Sequence, residues 1–530
     1  LTVPNDNTDL STFDSDELAP MLRGILRGIE KESLRIDRSG LLAPTRHPAA
    51  LGSALTHPLI TTDYSEALIE LITPTSTGIE ATLTLLDEIH RCVYGALDQE
   101  LLWCASMPCV LADDTQIPVA EYGNSNIGRL KHLYRIGLGH RYGRAMQTIA
   151  GIHYNFSLPD SLWQALQARQ GDRRSLTDYK TDRYFALIRN FRRHFWLLIY
   201  LFGAAPALCR SLVANRPHQL ESFDDGSLYL PYATSLRMGS VGYQSDAQSS
   251  LTITHNDLDN YIDTLYGAMT TPYPAYQKIG VKVDGEYRQI NANLLQIENE
   301  YYSPIRPKRV ANSGEKPLHA LHQRGVEYVE VRCLDLNPYL PLGIDAEQIR
   351  LLDIFLLNAA LDDSPPISRD ECHAIQHNQK TVVNEGRRPG VTLLRAGSPV
   401  RLTDWGHALM EQMAPAAEQL DQSWGGDSYR QTLTRLTARL HDADLTPAAR
   451  ILAEMRDQRL SFSQFAMQHS LAHERHFRSR PLPPDRHAHF AELAEASWHA
   501  QQQIEASDQL DFDSFLQAYQ QQPIRDETRA

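Results

Sequence analysis

The chain has 530 residues, 42% hydrophobic and 22% charged, a globular composition long enough for one large domain with appendages or for two or three domains. Its 51 basic and 65 acidic residues sum to a formal charge of −14, which argues against broad electrostatic binding to nucleic acid and leaves room only for a local basic pocket. The longest apolar run, FWLLIYLFGAAPALC from Phe195 to Cys209, is shorter than the roughly 20 residues a bilayer requires and is interrupted by Pro206, so it predicts a buried helix rather than a membrane span.

From the N-terminus, the first stretch, LTVPNDNTDLSTFDSDELAP, is acidic and lacks a basic-then-apolar leader pattern. GIEKESLRID sets Glu30 and Glu32 two residues apart, on one face if the segment is a strand. TTDYSEALIELITP offers Asp63, Glu66 and Glu70; the alternation of Leu68, Glu70 and Ile72 favours a strand in its second half, although a helix would also align the three acids. AGIHYNFSL alternates cleanly, with His153, Asn155 and Ser157 on one face and Ile152, Tyr154, Phe156 and Leu158 on the other, the pattern of a half-buried strand. TDRYFALIRNFRRHFWLLIYLFG reads as helix. QINANLLQIENEYYSP ends in an alternation that predicts a further strand with Gln296, Glu298, Glu300 and Tyr302 on one side. VEYVEVRCLDLNP predicts a strand with Val329, Val331 and Cys333 in the core and Glu330 beside Arg332 on the opposite face.

From about Asp345 the character changes. DAEQIRLLDIFLLNAALDD, WGHALMEQMAPAAEQLDQ, YRQTLTRLTARLHDA and AHFAELAEASWHAQQQIEAS carry helical apolar spacing. The expectation is an α+β catalytic body over 1–344, built on an antiparallel sheet covered on one face, and a mainly helical region over 345–530 packed on it. HSLAHERH spaces His469, His473 and His476 as on one helix face, and with no accompanying carboxylate motif it reads as solvated. Six cysteines at 92, 104, 109, 209, 333 and 372 form no C-x-x-C; they read as buried thiols of a reducing cytoplasm, with a Cys104–Cys109 redox bridge as the minor alternative.

The acidic strand faces carry the chemistry. Two carboxylates about 4 Å apart repel by roughly 4 kcal/mol at an effective dielectric near 20. Several on one face need protons or a cation among them, and hard oxygen donors with few cysteines point to Mg²⁺, or Mn²⁺, rather than zinc. Magnesium commonly shares its shell with substrate phosphates. Arg306, Lys308 and Arg309 of SPIRPKRVANSGEKP, Arg237 of YATSLRMGSVGY and Arg332 supply positive partners for such oxyanions. Each feature alone has a plainer reading: a Glu-x-Glu is commonly a solvated strand face, Glu330–Arg332 a surface ion pair worth under about 1 kcal/mol, His153 a structural histidine and PIRPKR an exposed loop. The chain has no phosphate-loop, dinucleotide-fingerprint, H-E-x-x-H or G-x-S-x-G motif.

Seven stretches decide between these readings by resemblance. RGIEKESLRID, HPAALGSALTHPLITTDYSEALIELITP, YGNSNIGRLKHLYRIGLGHRYG, MQTIAGIHYNFSLP, YLPYATSLRMGSVGY, QINANLLQIENEYYSPIRPKR and GVEYVEVRCLDLNP resemble, in order, the proteobacterial glutamate–cysteine ligases. NEGRRPGVTLL is a further landmark in a C-terminal region that matches more loosely. The resemblance implies a curved antiparallel sheet forming a funnel, related to glutamine synthetase. It implies ATP-dependent ligation of the glutamate γ-carboxylate to the cysteine amine through a γ-glutamyl phosphate, the first step of glutathione synthesis. Carried over by motif, the ligands of Mg²⁺ would be Glu30, Glu32, Asp63, Glu70, His153 and Glu330, and Arg135, Arg237 and Arg332 would hold phosphate and substrate oxygens. Tyr134, Leu138, Gln147, Ile149, Tyr243 and Tyr302, with Arg237, would bind the cysteine.

ATP would be a co-substrate, and no cysteine of the chain need be a nucleophile. The expectation is a cytoplasmic enzyme, a monomer or weak oligomer, with small-molecule substrates; the net charge and the short apolar run argue against nucleic-acid and membrane partners. Its rivals are a ligase of the same scaffold with another amine acceptor, and a non-catalytic binder of nucleotide and metal.

Overall fold

The computed structural model describes residues 15–524 apart from 215, 243–245, 250, 252 and 313. Seven strands form the central sheet: β1 Leu26–Ile36, β2 Ile60–Thr62, β3 Leu68–Ile72, β4 Leu101–Leu102, β5 Ile152–Ser157, β6 Ile305–Lys308 and β7 Tyr328–Leu334. Their order is β6-β7-β5-β1-β3-β2, β4 pairs with the end of β1, and every pairing is antiparallel. Period-two alternation divides the sheet into two unlike faces. Ile29, Tyr154, Val329 and Val331 are fully buried behind it, and Cys333 is buried as its alternation predicts.

Helices cover that rear face. The principal ones are α1 Ile79–Ala96, α3 Leu176–His194, α4 Trp196–Phe202 and α5 Ala346–Leu361, while α2 Asn126–Tyr142 carries side chains to the front and α6 Arg369–Glu385 follows α5. Helix α5 starts where the Asp345 carboxylate accepts the Gln348 N–H at 2.8 Å, and it is apolar on nearly all sides because the sheet and other helices enclose it. Beyond residue 401 the chain is helical, from Leu402–Gln412 to Phe512–Gln521. One continuous apolar core joins these helices to the sheet, running from Leu18 to Ile524.

Three expectations change. The apolar run of residues 195–209 is not one helix: α4 stops at Gly203 and a short strand, Ala207–Cys209, follows, because Pro206 cannot continue the helical ladder. The segment of residues 289–302 is not a strand. It is irregular chain with a 3₁₀ turn at Glu298–Glu300, and both glutamates are buried. The histidines of Phe462–Arg478 form a solvated face only in part: His476 is exposed, but His473 is buried, with its pKa pushed down to about 3 by burial and by Lys31, and His469 pairs with Glu454 at 3.1 Å. Cys104 and Cys109 are buried free thiols. Among the described residues no helix is long and apolar enough to cross a membrane.

A buried ion pair fastens the sheet to its helical backing. Arg27 on the rear of β1 meets Asp353 of α5 at 2.7 Å with both side chains sealed from solvent, and Asp353 also accepts from the hydroxyls of Tyr154 at 2.7 Å and Tyr429 at 3.2 Å. Removing one member strands the other charge in the core. We expect Asp353→Ala to lower stability by about 3–5 kcal/mol in chemical denaturation. A double Arg27→Met, Asp353→Leu variant should recover part of that loss, and a near-neutral single variant would contradict this account.

Candidate active site

The front face of the sheet gathers the acids. Register places Glu32 opposite Glu70 on β3, Glu30 opposite His153 on β5, and Glu330 on β7 opposite Asn155. His153 sits at their centre. Its Nδ1 is 3.3 Å from Glu30 Oε2 and 4.0 Å from Glu330 Oε1, and its Nε2 is 3.6 Å from Glu32 Oε1. Donor atoms of Glu30, Glu70 and His153 all lie within 4.8 Å of one another. Asp63 stands in the turn between β2 and β3, where its N–H bonds Leu68 O at 3.0 Å, and its charge reaches Glu32 and Glu70. The fold therefore brings Glu30, Glu32, Asp63, Glu70, His153 and Glu330 into one cluster. Glu66, raised as a candidate by the sequence, is elsewhere employed: its carboxylate ties down the backbone N–H groups of His47 and Glu121.

These carboxylates are not equivalent. Burial pushes Glu330 up, but Lys308 at 3.4 Å, Arg332 at 3.0 Å and His153 outweigh it and hold Glu330 well below the ordinary carboxylate range. Burial likewise works against Glu30, and the bond to His153 brings it back below its usual value. Glu70 lies on the other side of the cluster. Burial first, then Glu30, Asp63 and Glu32, push its pKa far up. Burial also raises Glu32, although His153 and the nearby Arg237 and Arg332 oppose the rise.

The residues present suit a hard divalent cation. The donors are carboxylate oxygens and one imidazole, with no thiolate among them. The side-chain oxygen of Asn155 is buried without a partner on the same face. A cation would supply the positive charge that the Glu70 side of the cluster lacks.

Three arginines border the acids. Arg332 donates to Glu330 and lies 3.5 Å from His153 Nδ1. Arg237 is almost sealed from solvent in the 3₁₀ turn Leu236–Met238; its Nη2 donates to Arg332 O at 3.0 Å, and Asp335 stands 3.8 Å away. It can lie there only because residue 151 is glycine, since a Cβ at that position would meet Arg237 Nη2 at 2.0 Å. Arg135 on α2 donates to Asp63 O and to Lys131 O, with its guanidinium 4.6 Å from the centre of the Tyr122 ring. Arg237, Arg332 and Tyr302 also line a cavity of about 330 Å³, together with Arg192, Gln248 and Lys380.

The predicted acceptor pocket is brought together around α2. Tyr134 and Leu138 are one turn apart on that helix, Gln147 and Ile149 follow in and after the turn Ala145–Thr148, and the Tyr302 hydroxyl bonds Gln147. Tyr243 lies outside the described residues.

Tyr302 is held by a support that the sequence did not reveal. Glu300 makes a sealed ion pair with Arg141 at 2.9 Å and accepts from the Tyr142 hydroxyl at 2.7 Å and from Gln296 N at 2.6 Å. Arg306 ties the same turn to β6 through Asn299 O and Tyr301 O. Arg306 and Lys308 are thus strand residues on the face of Glu330, not an exposed basic loop. Alternation within IRPK, paired against VEYVEV, was the available signal.

The matching family model is described as glutamate-cysteine ligase and covers residues 10–382. Proteins named glutamate–cysteine ligase from Pseudomonas paraeruginosa and Azotobacter vinelandii are each 54% identical, over 94% of this chain and 95% of their own. The crystal structure of a glutamate–cysteine ligase from Francisella tularensis in complex with AMP superposes with a TM-score of 0.88 at 34% identity, covering 94% of this chain and 97% of that one.

The unequal carboxylates predict a pH dependence. Glu70 and Glu32 have raised folded pKa values, so in the metal-free protein their stabilising protonation is complete below the unfolded value and is lost as pH rises through the folded one. Glu330 is depressed, so its contribution is present above the unfolded value and is lost as pH falls through the folded one. A cation competes with the protons on Glu70 and Glu32. The gain in thermal midpoint on adding Mn²⁺ should therefore be larger near about pH 8 than near about pH 6. An equal gain at both would contradict the raised pKa values of Glu70 and Glu32.

Proposed function

The chain belongs to the glutamate–cysteine ligase family, and on that premise we propose that the acidic front face of its sheet holds divalent cations against the phosphates of ATP while the bordering arginines fix the reacting oxygens. The enzyme joins the γ-carboxylate of L-glutamate to the amine of L-cysteine in an ATP-dependent reaction, the first step of glutathione synthesis. The observation that carries the site reading is the convergence of Glu30, Glu32, Asp63, Glu70 and Glu330 about one imidazole, beside Arg332 and Arg237.

A carboxylate does not condense with an amine in water to a useful extent, so the γ-carboxylate is first activated as γ-glutamyl phosphate. Phosphoryl transfer asks for alignment and charge neutralisation rather than a protein nucleophile. Arg332 stands where it can hold a transferring phosphoryl oxygen, and its salt bridge to Glu330 fixes its aim. Lys308, bound to the other oxygen of Glu330, offers a second cation toward the nucleotide. Glu30, Glu32, Asp63, Glu70, His153 and Glu330 would hold Mg²⁺, or Mn²⁺, which would supply charge neutralisation for the transfer.

Arg237 and Arg135 would grip substrate carboxylates. Tyr134, Leu138, Gln147, Ile149 and Tyr302, with Tyr243, would seat the cysteine so that its amine faces the acyl phosphate. When the amine attacks, the tetrahedral oxyanion is stabilised by nearby guanidinium groups. Phosphate then departs and the amide remains. On this reading the sheet curves into the wall of a funnel. Residues 1–344 are the catalytic body, and 345–530 are a helical region packed on it. The enzyme works in the cytoplasm as a monomer or weak oligomer without nucleic-acid or membrane partners. The net charge of −14 supports the exclusion of nucleic acid.

Phosphate release should require ATP, glutamate and cysteine together in a panel of amino-acid acceptors. Faster release with another amine would overturn the acceptor assignment. Glu330→Gln should lower turnover by about 10²–10³-fold with an unchanged circular dichroism spectrum. Near-normal turnover would remove it from the site. Arg332→Ala should depress kcat by a similar factor while the KM for ATP moves less than about tenfold. A defect confined to ATP affinity would refute its part in the transfer.

A further inference from the structure

Asn155 stands among the acids on the front face but belongs to neither the ligand set nor the substrate pocket named above. Its Nδ2 donates to Glu30 Oε1 at 2.7 Å. A carboxylate oxygen only accepts, so this bond fixes which branch of the amide is nitrogen. The other branch, Oδ1, is buried and has no partner.

None of its neighbours across the sheet can satisfy it. Across one strand pair lies Gly28, which has no side chain, and across the other lies Glu330, whose carboxylate is held as an acceptor by Lys308 and Arg332. A buried carbonyl left without a donor or cation carries the uncompensated loss of its hydration. The amide is thus pinned at one end by a proposed metal ligand and presents a bare oxygen at the other, on the face that carries His153 and Glu330.

We propose that Asn155 is a further member of the cation shell, giving its side-chain oxygen to the divalent ion while its amide nitrogen positions Glu30. The inference rests on the cation reading of the acidic cluster and adds to it a neutral donor. A neutral oxygen there completes the shell without adding to the repulsion among Glu30, Glu32, Glu70 and Glu330.

The test uses the full-length metal-free protein and Mn²⁺ alone, with free ion followed by electron paramagnetic resonance, so that no turnover enters the measurement. Asn155→Ala should weaken Mn²⁺ binding by about 10–100-fold. Asn155→Asp retains the oxygen and loses the donor to Glu30, and should stay within about threefold of the parent. Glu30→Gln serves as the reference for the cluster. If Glu30→Gln weakens binding and Asn155→Ala does not, Asn155 lies outside the shell and the cluster reading stands. If Asn155→Ala and Asn155→Asp weaken binding equally, its part is only to position Glu30, and the proposal falls. If Glu30→Gln also binds as the parent does, the cation reading itself falls and takes the inference with it. Circular dichroism on every variant separates a binding loss from unfolding.

Discussion

Mutual repulsion among carboxylates on one sheet face is the constraint that orders this molecule. Adjacent acids at such spacings oppose one another by several kcal/mol, and burial adds to the penalty. The fold meets part of it with its own cations. Lys308 and Arg332 stand beside Glu330 and the His153 imidazole bonds Glu30, and both acids are held below the usual carboxylate range. On the other side, Glu70 and Glu32 find less support, and burial raises their pKa values above the usual carboxylate range. The resulting gradient runs from β7 to β3. It gives the site one half whose charge the chain itself offsets and another whose charge burial opposes.

Such a face must be stiff, because a small outward shift of any strand would relax the repulsion by separating the acids. Stiffness comes from the rear. Arg27 and Asp353 lock β1 to α5, and Lys31 is buried behind the sheet with its Nζ 2.6 Å from His90 Nε2 and its pKa lowered to about 7 by burial. Asp335 works at one edge: it accepts from Ala204 N and the Ser235 hydroxyl and stands beside Arg237. Replacing such buried pairs with apolar side chains can be neutral for stability, so their merit here is geometric, in fixing which residues oppose one another.

Much of this was legible in the sequence, and the reason is periodicity. β1, β3, β5 and β7 each combine a strict alternation with a polar residue where an apolar one would suffice, so Glu30, Glu70, His153 and Glu330 stand out. Regular strands also made Val329, Val331 and Cys333 readable as core. Legibility failed where contacts are distant in sequence. Alternation in residues 289–302 looked like a strand, but no neighbouring strand is there to pair with it, and Glu300 is instead claimed by Arg141 from α2. His473 looked solvated because a helix pattern does not tell which face a partner will cover. Glu66 shares its stretch with Asp63 and Glu70, yet two loop N–H groups take its carboxylate, a fact that only tertiary structure supplies.

The two faces of β1 have a consequence for how the chain can vary. Arg27, Lys31 and Arg35 point backward, while Gly28, Glu30 and Glu32 point forward. A frame error of one residue would exchange them at a stroke, driving three cations into the acidic cavity and two acids into an oily interior. Length changes inside this strand should therefore be far less tolerable than single replacements. The alternation of charge along β1 thus marks its one workable register.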